Sequence, residues 1–296
     1  MSRRRTLGIA GVGLIGASIG LRAAAAGWEV HGWDPNAGHL AAARARGAIA
    51  WAEPDLRTLG EFETLVIAAP LDATLALLAG FASGPPRAAL IIDVASLKAP
   101  VAAAGRDLVA FVATHPIAGS ERSGPGAAEP GLFAGRVWTY DAAARPGPAA
   151  RARDFITEMG ARAVAIDSRE HDRIVALTSH LPQLVAVALG ARLESRLDEP
   201  NVADLCGTGM GSMLRLGGSA WPMWQAIFAV NGRAVAQEVR GLASVLVSLA
   251  ENLDADRPDD LAAAFTAAAA AVARLRLHGT RPSCVEHSTN VMDERY

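Results

Sequence analysis

The chain has 296 residues, which is long enough to bury a large core and to form two domains. Charged residues make up 20% of it, the formal net charge is −2 and the pI is about 6.4, so the composition offers no basic surface for nucleic acid. We therefore expect a small molecule as the binding partner. The two cysteines, Cys206 and Cys284, stand far apart and lack metal-site spacing, so we expect reduced thiols, no bound metal and a cytoplasmic protein.

The N-terminus combines the basic run MSRRR with an apolar stretch, as secretory signal peptides do. We reject that interpretation because the apolar stretch carries a glycine motif and no cleavage-like boundary follows it. We also predict no membrane span and no membrane partner. The uncharged stretch from Leu261 to Ala273 is too short and mostly alanine, and the region around Leu75 is interrupted by Asp72 and Pro70.

The most informative stretch is LGIAGVGLIGAS, which begins at Leu7 and joins a short apolar run to an alanine-rich helical segment. The pattern predicts a strand, a tight turn and a helix. Gly11 would permit the turn, Gly13 would let a pyrophosphate approach the backbone, and Gly16 would let the helix pack closely on the strand. The motif alone is equally compatible with a glycine turn that serves only packing.

The residues after this helix favour a dinucleotide site. A second strand-like run, Glu29 to Trp33, ends in Asp34, which follows Gly16 at close to the spacing of a ribose-binding acid. A carboxylate accepts hydrogen bonds from ribose hydroxyls and repels a 2′-phosphate, and no Arg or Lys follows it directly. We therefore predict NAD rather than NADP, with Leu14 and Ile15 at the helix N-terminus that faces the phosphates.

Alternating apolar runs and alanine-rich helical segments predict a Rossmann-type α/β domain with a mostly parallel sheet over residues 1–167. After the first two strands, the predicted strands are Thr64–Ala68, Leu90–Asp93, Phe111–Thr114, Arg136–Tyr140 and Arg162–Ile166. Helical spacing predicts an all-α C-terminal domain over residues 168–278. Its predicted helices are His171–Leu193, Pro222–Leu249 and Pro258–Leu277. The polar tail 279–296 lacks periodicity and is expected to be loosely ordered.

Polar and small residues follow the predicted strands, and ligands of such sheets bind outside the carboxyl ends of the strands. Ala69 and Pro70 end one strand, where the small residue would leave room for the nicotinamide nucleotide. The same pair also fits a simple strand-to-loop turn. The run DVASLK ends the next strand and contains Ser96 and Lys98, the only lysine in the chain.

A third such run, THPIAGSE, places His115 at a strand end with Glu121 behind it. GLIGAS, DVASLK and HPIAGSE together resemble the prephenate and arogenate dehydrogenases, also called cyclohexadienyl dehydrogenases. The resemblance continues in the helical half, where HD followed by SHLP spans residues 171–182 and LRL followed by MW spans residues 214–224. Motif order and spacing are kept over roughly residues 6 to 250, which is far more specific than one motif.

The resemblance implies an NAD-dependent oxidative decarboxylation in tyrosine biosynthesis. A hydride leaves the ring carbon that bears the 4-hydroxyl group, and the ring then loses carbon dioxide and becomes aromatic. His115 would accept the hydroxyl proton, and Ser96 would orient His115. Arg215 would pair with a substrate carboxylate, and Lys98 and Glu121 would be polar members of the same site.

The resemblance also implies that the helical domains form an intertwined homodimer. Trp224 would then approach the site of the partner subunit, although a core position fits this residue equally well. His171 and His180 are expected to be structural or to lie behind the residues that contact the substrate.

Two departures from the family pattern bear on the substrate. Gln183 stands where the family commonly has the second histidine of SHLPH, and Ser212 stands where an aspartate commonly precedes the arginine by three residues. Both remove ionisable groups from the side-chain end of the pocket. The Gln183 amide can accept from an ammonium or donate to a keto oxygen, so prephenate, arogenate and 4-amino-4-deoxyprephenate all stay open as substrates.

Two other classes of protein also have this fold pattern. One is a different Rossmann dehydrogenase with a helical C-terminal domain, such as a β-hydroxyacid dehydrogenase or an imine reductase. The combination of HPIAGSE with SHLP argues against it. The other is a non-catalytic NAD-sensing relative, and the presence of both His115 and Ser96 argues against that.

Overall fold

A computed structural model describes residues 5–118 and 122–277 of the chain. Contacts divide the chain into two compact units, one up to residue 238 and one from residue 239 onward. Glu121 and the polar tail 279–296 lie outside the described residues, so the expectations for them stay predictions.

A six-stranded parallel sheet dominates the first unit, in the order β3-β2-β1-β4-β5-β6. Its strands are β1 (Thr6–Ala10), β2 (Glu29–Trp33), β3 (Trp51–Ala52), β4 (Thr64–Ile67), β5 (Leu90–Asp93) and β6 (Phe111–Val112). β4 and β5 are buried along their whole length, as parallel strands covered on both faces are. Within β5, Leu90 and Ile92 join one hydrophobic cluster while Ile91 joins another.

Three further strands form a small mixed sheet: β7 (Thr114–Pro116), β8 (Val137–Asp141) and β9 (Arg162–Ile166). The prediction of one strand over Phe111–Thr114 is wrong, because the chain changes sheets at this point. β6 pairs in parallel with β5, whereas β7 pairs antiparallel with β8. The Thr114 N–H donates to Oδ1 of Asp93 at 2.9 Å instead of continuing a strand ladder.

Ten α-helices occur in the described residues. They are α1 (Leu14–Ala25), α2 (Ala37–Ala45), α3 (Leu71–Gly80), α4 (Ala99–Ala104), α5 (Pro146–Glu158), α6 (Ser168–Val175), α7 (Leu181–Glu194), α8 (Thr208–Leu214), α9 (Trp221–Asp254) and α10 (Pro258–Leu277). The predicted helix His171–Leu193 is interrupted, since a π-helical turn, Ala176–His180, joins α6 to α7. Such turns insert an extra residue and often lie at functional sites.

The continuous helical stretch Ser168–Glu194 is long and apolar enough to cross a membrane by length and composition alone. That is weak evidence, because a core helix of a folded domain passes the same test. This stretch contains five buried polar residues: Ser168, His171, Asp172, His180 and Gln183. The last four make hydrogen bonds within the protein, as most buried polar groups do.

Helices of the second half pack on the sheet within the first unit. Val175 of α6 and Ile227 of α9 are buried in the same cluster as Ile67, Ile91 and Leu97. This packing brings α6 and α9 to the residues that follow β5.

Candidate active site

The glycine turn after β1 has the geometry of a dinucleotide-binding loop. Gly11 has φ = +95°, and a Cβ there would lie 2.3 Å from the carbonyl oxygen of Ala68. A Cβ on Gly16 would lie 2.0 Å from the carbonyl oxygen of Gly11, so close packing of helix and strand excludes side chains at both positions. At Gly13, by contrast, no heavy atom of the described residues beyond its two chain neighbours would lie within 4 Å of such a Cβ.

Gly13 is also the residue that precedes α1, so the open space beside it lies next to the helix N-terminus, where Leu14 and Ile15 are half-buried in the first turn. Backbone N–H groups and the helix dipole favour an anion there. The residues present therefore fit the pyrophosphate of a dinucleotide.

Asp34 lies beside this loop at the carboxyl end of β2. Its Oδ2 accepts a hydrogen bond from the Val12 N–H at 2.9 Å, and its Oδ1 accepts one from the Asn36 N–H at 2.9 Å. The carboxylate therefore joins the glycine turn to the start of α2. Ala69 lies at the same edge of the sheet, and its backbone nitrogen would be 3.3 Å from a Cβ on Gly11. Pro70 immediately precedes α3.

Lys98 is buried and anchors two strand ends. Its Nζ forms an ion pair with Oδ2 of Asp93 and donates to the carbonyl oxygen of Thr114 at 2.6 Å. Burial lowers the pKa of Lys98 and raises that of Asp93, while the attraction between the two charges opposes both shifts. Because this side chain is only 2% exposed and has two protein partners, the structure gives it a scaffolding contact, and substrate binding by Lys98 stays a prediction.

His115 lies on β7 and contacts a residue that the sequence places 56 positions further on. Its Nδ1 is 3.0 Å from Nε2 of His171, and Nδ1 of His171 is 2.8 Å from Oδ1 of Asp172. The Asp172 carboxylate also accepts the backbone N–H groups of Lys98 at 2.7 Å and Ala99 at 2.9 Å. One hydrogen-bonded chain therefore joins the buried carboxylate of Asp172, the imidazole of His171 and the predicted catalytic imidazole of His115.

The surroundings keep His115 neutral. Burial lowers the pKa of His115 well below its usual value, and positive charge on His171, Lys98 or His180 would lower it further. A neutral imidazole can accept a proton, which is what a general base must do.

Asn231 of α9 connects this hydrogen-bonded chain to a third histidine, His180. Its Nδ2 donates to the carbonyl oxygen of Asp172 at 2.9 Å and lies 3.3 Å from Nδ1 of His180. Burial lowers the pKa of His180 to about 4, so this ring is neutral and its Nδ1 can accept from the amide. The His180 ring packs edge-on against Trp224 with centroids 5.9 Å apart. Nε1 of Trp224 is buried and has no hydrogen-bond partner among the described residues.

Sequence reasoning missed Asn231, although a signal was present. Asn231 lies four residues after Ile227 and four before Val235, both of which are buried on α9. A polar residue in an apolar stripe at helical spacing is expected to have a specific partner.

The predicted substrate residues of the helical half meet at one turn. Arg215 is exposed and begins the 3₁₀ turn Arg215–Gly218, which follows α8. Gln183 is buried, its Nε2 donates to the carbonyl oxygen of Leu216 at 2.8 Å, and the Ser219 hydroxyl donates to its Oε1 at 3.4 Å. The amide of Gln183 thus holds the turn that carries Arg215.

Two further positions have less defined surroundings. Ser96 is half-buried between β5 and α4, and within the described chain no hydrogen bond joins it to His115. Ser212 is exposed on α8. The roles assigned to the site residues from the sequence, including Ser96 as the orienting group, stay predictions.

Comparison with known proteins decides the family. The nucleotide-binding domain of prephenate dehydrogenase matches residues 18–165, and the dimerization domain of prephenate dehydrogenase matches residues 167–267. The chain belongs to the prephenate dehydrogenase family. The family expected from the motifs is therefore confirmed, as are the Rossmann-type first domain and the helical second domain. The domain boundaries stay a prediction.

Similar curated proteins carry the same family name. A probable prephenate dehydrogenase, NovF, of Streptomyces niveus is 32% identical over 84% of this chain and 69% of that protein. A prephenate dehydrogenase of Lactococcus lactis is 26% identical over 82% of this chain and 69% of that protein.

Solved structures of the family share the fold. An arogenate dehydrogenase of Synechocystis has a TM-score of 0.77 at 24% identity and covers 91% of this chain and 99% of its own. A prephenate dehydrogenase from A. aeolicus, in complex with hydroxyphenyl propionate and NAD+, has a TM-score of 0.83 at 21% identity and covers 93% and 99%.

Proposed function

We propose that this protein catalyses the NAD-dependent oxidative decarboxylation of a prephenate-type cyclohexadienyl substrate, prephenate or arogenate, in tyrosine biosynthesis. The observation that carries the proposal is the neutral, half-buried His115, which follows the carboxyl end of β6 and has its Nδ1 held by His171. The family names of the similar proteins, all dehydrogenases of such substrates, support the substrate class.

When bound, NAD+ would supply the acceptor for the hydride that leaves the ring carbon bearing the hydroxyl group. Asp34 would accept hydrogen bonds from the ribose hydroxyls, and its charge disfavours a 2′-phosphate, which supports NAD over NADP. Leu14 and Ile15 at the start of α1, together with Gly13, would meet the pyrophosphate, and Ala69 and Pro70 would border the nicotinamide end.

His115 takes the proton of the ring hydroxyl as the ketone develops, and Nε2 is the nitrogen that the contact with His171 leaves available. Arg215 pairs with a substrate carboxylate through its planar set of donors. The carboxylate on the ring then leaves as carbon dioxide, and the electrons of that bond restore the aromatic ring.

The experiment that tests the function follows NADH formation with prephenate, arogenate and 4-amino-4-deoxyprephenate side by side. We expect turnover of prephenate or arogenate. Replacing His115 with Asn should lower kcat by about 10²- to 10⁴-fold with little change in KM. Replacing Arg215 with Ala should mainly raise KM, by about 10- to 100-fold, since a charge-assisted hydrogen bond is lost. Turnover of only the amino analogue would assign the protein to a specialised pathway. An unchanged kcat in His115→Asn would exclude His115 as the general base.

We also propose a homodimer. The helical half exposes large apolar side chains that a monomer would leave in water, among them Leu205, Met213, Trp221, Met223 and Phe265. Exposed apolar residues in such number mark an interaction surface. The match to a dimerization domain supports a second copy of this chain as the partner.

A further inference from the structure

We propose that His171 and Asp172 are positioning residues that fix the tautomer of His115, so that Nε2 of His115 is the nitrogen that accepts the substrate proton. The three side chains lie in hydrogen-bonded succession, 3.0 Å and 2.8 Å apart. The inference rests on the proposed role of His115 as the base and adds to it a mechanism that makes one nitrogen competent.

Asp172 determines which atoms donate in these hydrogen bonds, because both of its oxygens already act as acceptors. Oδ1 accepts the Lys98 N–H at 2.7 Å, and Oδ2 accepts the Ala99 N–H at 2.9 Å. An aspartate carboxylate is ionised at neutral pH and has no proton to give. The 2.8 Å contact between Oδ1 and His171 therefore requires a proton on Nδ1 of His171.

The position of the proton on His171 in turn determines the position of the proton on His115. A neutral imidazole carries one N–H, so a proton on Nδ1 of His171 leaves a lone pair on its Nε2. That atom lies 3.0 Å from Nδ1 of His115, and the hydrogen bond between them needs a donor, which is then Nδ1 of His115. The lone pair of His115 is left on Nε2, the nitrogen that can take a proton.

The reverse arrangement is unfavourable for a physical reason. A proton on Nε2 of His171 would leave the lone pair of its Nδ1 against the Asp172 carboxylate and would make Nε2 of His115 a donor. His171 is only 2% exposed, so water does not compensate for the repulsion between the lone pair and the carboxylate. After His115 accepts the substrate proton, its Nδ1–H keeps its acceptor, so no hydrogen bond must rearrange.

A direct test reads the proton positions without using activity. We would label the histidines of the full chain with ¹⁵N and record ring nitrogen signals by NMR at about pH 8, above the ordinary histidine pKa. Signals would be assigned with His115→Asn and His171→Asn. We expect protonated Nδ1 and unprotonated Nε2 in both rings. A proton on Nε2 of His115, or a doubly protonated His171, would overturn the proposal.

A pair of matched substitutions tests the consequence for turnover. In His171→Gln the carboxamide reaches the level of Nε2 and can accept from Nδ1 of His115, whereas in His171→Asn it reaches only the level of Nδ1, next to Asp172. We expect His171→Asn to lower kcat by about 10²- to 10³-fold with KM nearly unchanged, and His171→Gln to recover about tenfold of that loss. Urea unfolding of both variants separates this effect from a loss of folding.

Equal kcat in the two variants would refute the positioning role. Failure of the proposed function has a different signature, because the wild type would then form no NADH with prephenate or arogenate, whatever proton positions the NMR spectrum shows. The two results are read from separate measurements on the same protein.

Discussion

Two glycines of the first turn, Gly13 and Gly16, should have different effects when each is replaced by alanine. Gly13 precedes α1 and its missing Cβ has open space around it, so Gly13→Ala costs only the difference between Gly and Ala before a helix, less than about 1 kcal/mol. The new methyl group would stand where the pyrophosphate approaches the backbone. Losing one or two charge-assisted hydrogen bonds costs about 1.5 to 3 kcal/mol, so the Kd for NAD should rise about 10- to 100-fold.

Gly16→Ala should mainly lower the stability of the protein, whereas Gly13→Ala should mainly lower its affinity for NAD. Its methyl group would lie 2.0 Å from the carbonyl oxygen of Gly11, which is backbone and cannot rotate away. Overpacking of this kind costs about 1 to 3 kcal/mol or more, which exceeds the gain of about 1 kcal/mol from replacing a helical glycine. The free energy of unfolding should therefore fall, even without cofactor.

Urea unfolding without cofactor and calorimetric titration with NAD measure the two quantities separately. Gly147→Ala is the matched control, since Gly147 is exposed near the start of α5 with open space around it. We expect it to leave the Kd for NAD unchanged and to raise the free energy of unfolding by up to about 1 kcal/mol, because alanine favours the helix over glycine. Wild-type affinity for NAD in Gly13→Ala would refute the assignment of the phosphate site to this loop.

Four further expectations follow from named contacts. Because burial lowers the pKa of His115 and the base must be neutral, the acid limb of kcat/KM should lie well below pH 6.5; a limb at or above that pH contradicts the geometry. Specificity constants should favour NAD over NADP, and Asp34→Ser should narrow the difference; equal use of NADP by the wild type would exclude the proposed role of Asp34. Gln183→Leu should lower the free energy of unfolding by about 1 to 3 kcal/mol and raise KM, because the turn that carries Arg215 loses its hydrogen bond; an unchanged KM would separate that turn from substrate binding. Light scattering should give twice the 30.6 kDa chain mass at micromolar concentration, and a monomer would contradict the dimer.

Local features of the sequence determined much of the first domain. The strand, glycine turn and helix after Leu7 depend on residues that are neighbours in the chain, and Gly11 has the positive φ that its position requires. The runs Leu90–Asp93 and Arg162–Ile166 are strands with the predicted bounds. Local composition suffices in these cases because both runs are short and apolar and contain Val or Ile, which favour strands.

Only the tertiary structure decided which polar groups meet. The predicted strand Phe111–Thr114 is divided because Asp93, distant in sequence, takes the Thr114 N–H. The contact between His115 and His171 joins a strand of the small sheet to α6, and no local pattern encodes such a contact. Lys98 turns inward because a buried carboxylate and a carbonyl oxygen compensate its desolvation. Hydrogen bonds between distant residues depend on where the packed elements bring their side chains, and that is decided only when the core has formed.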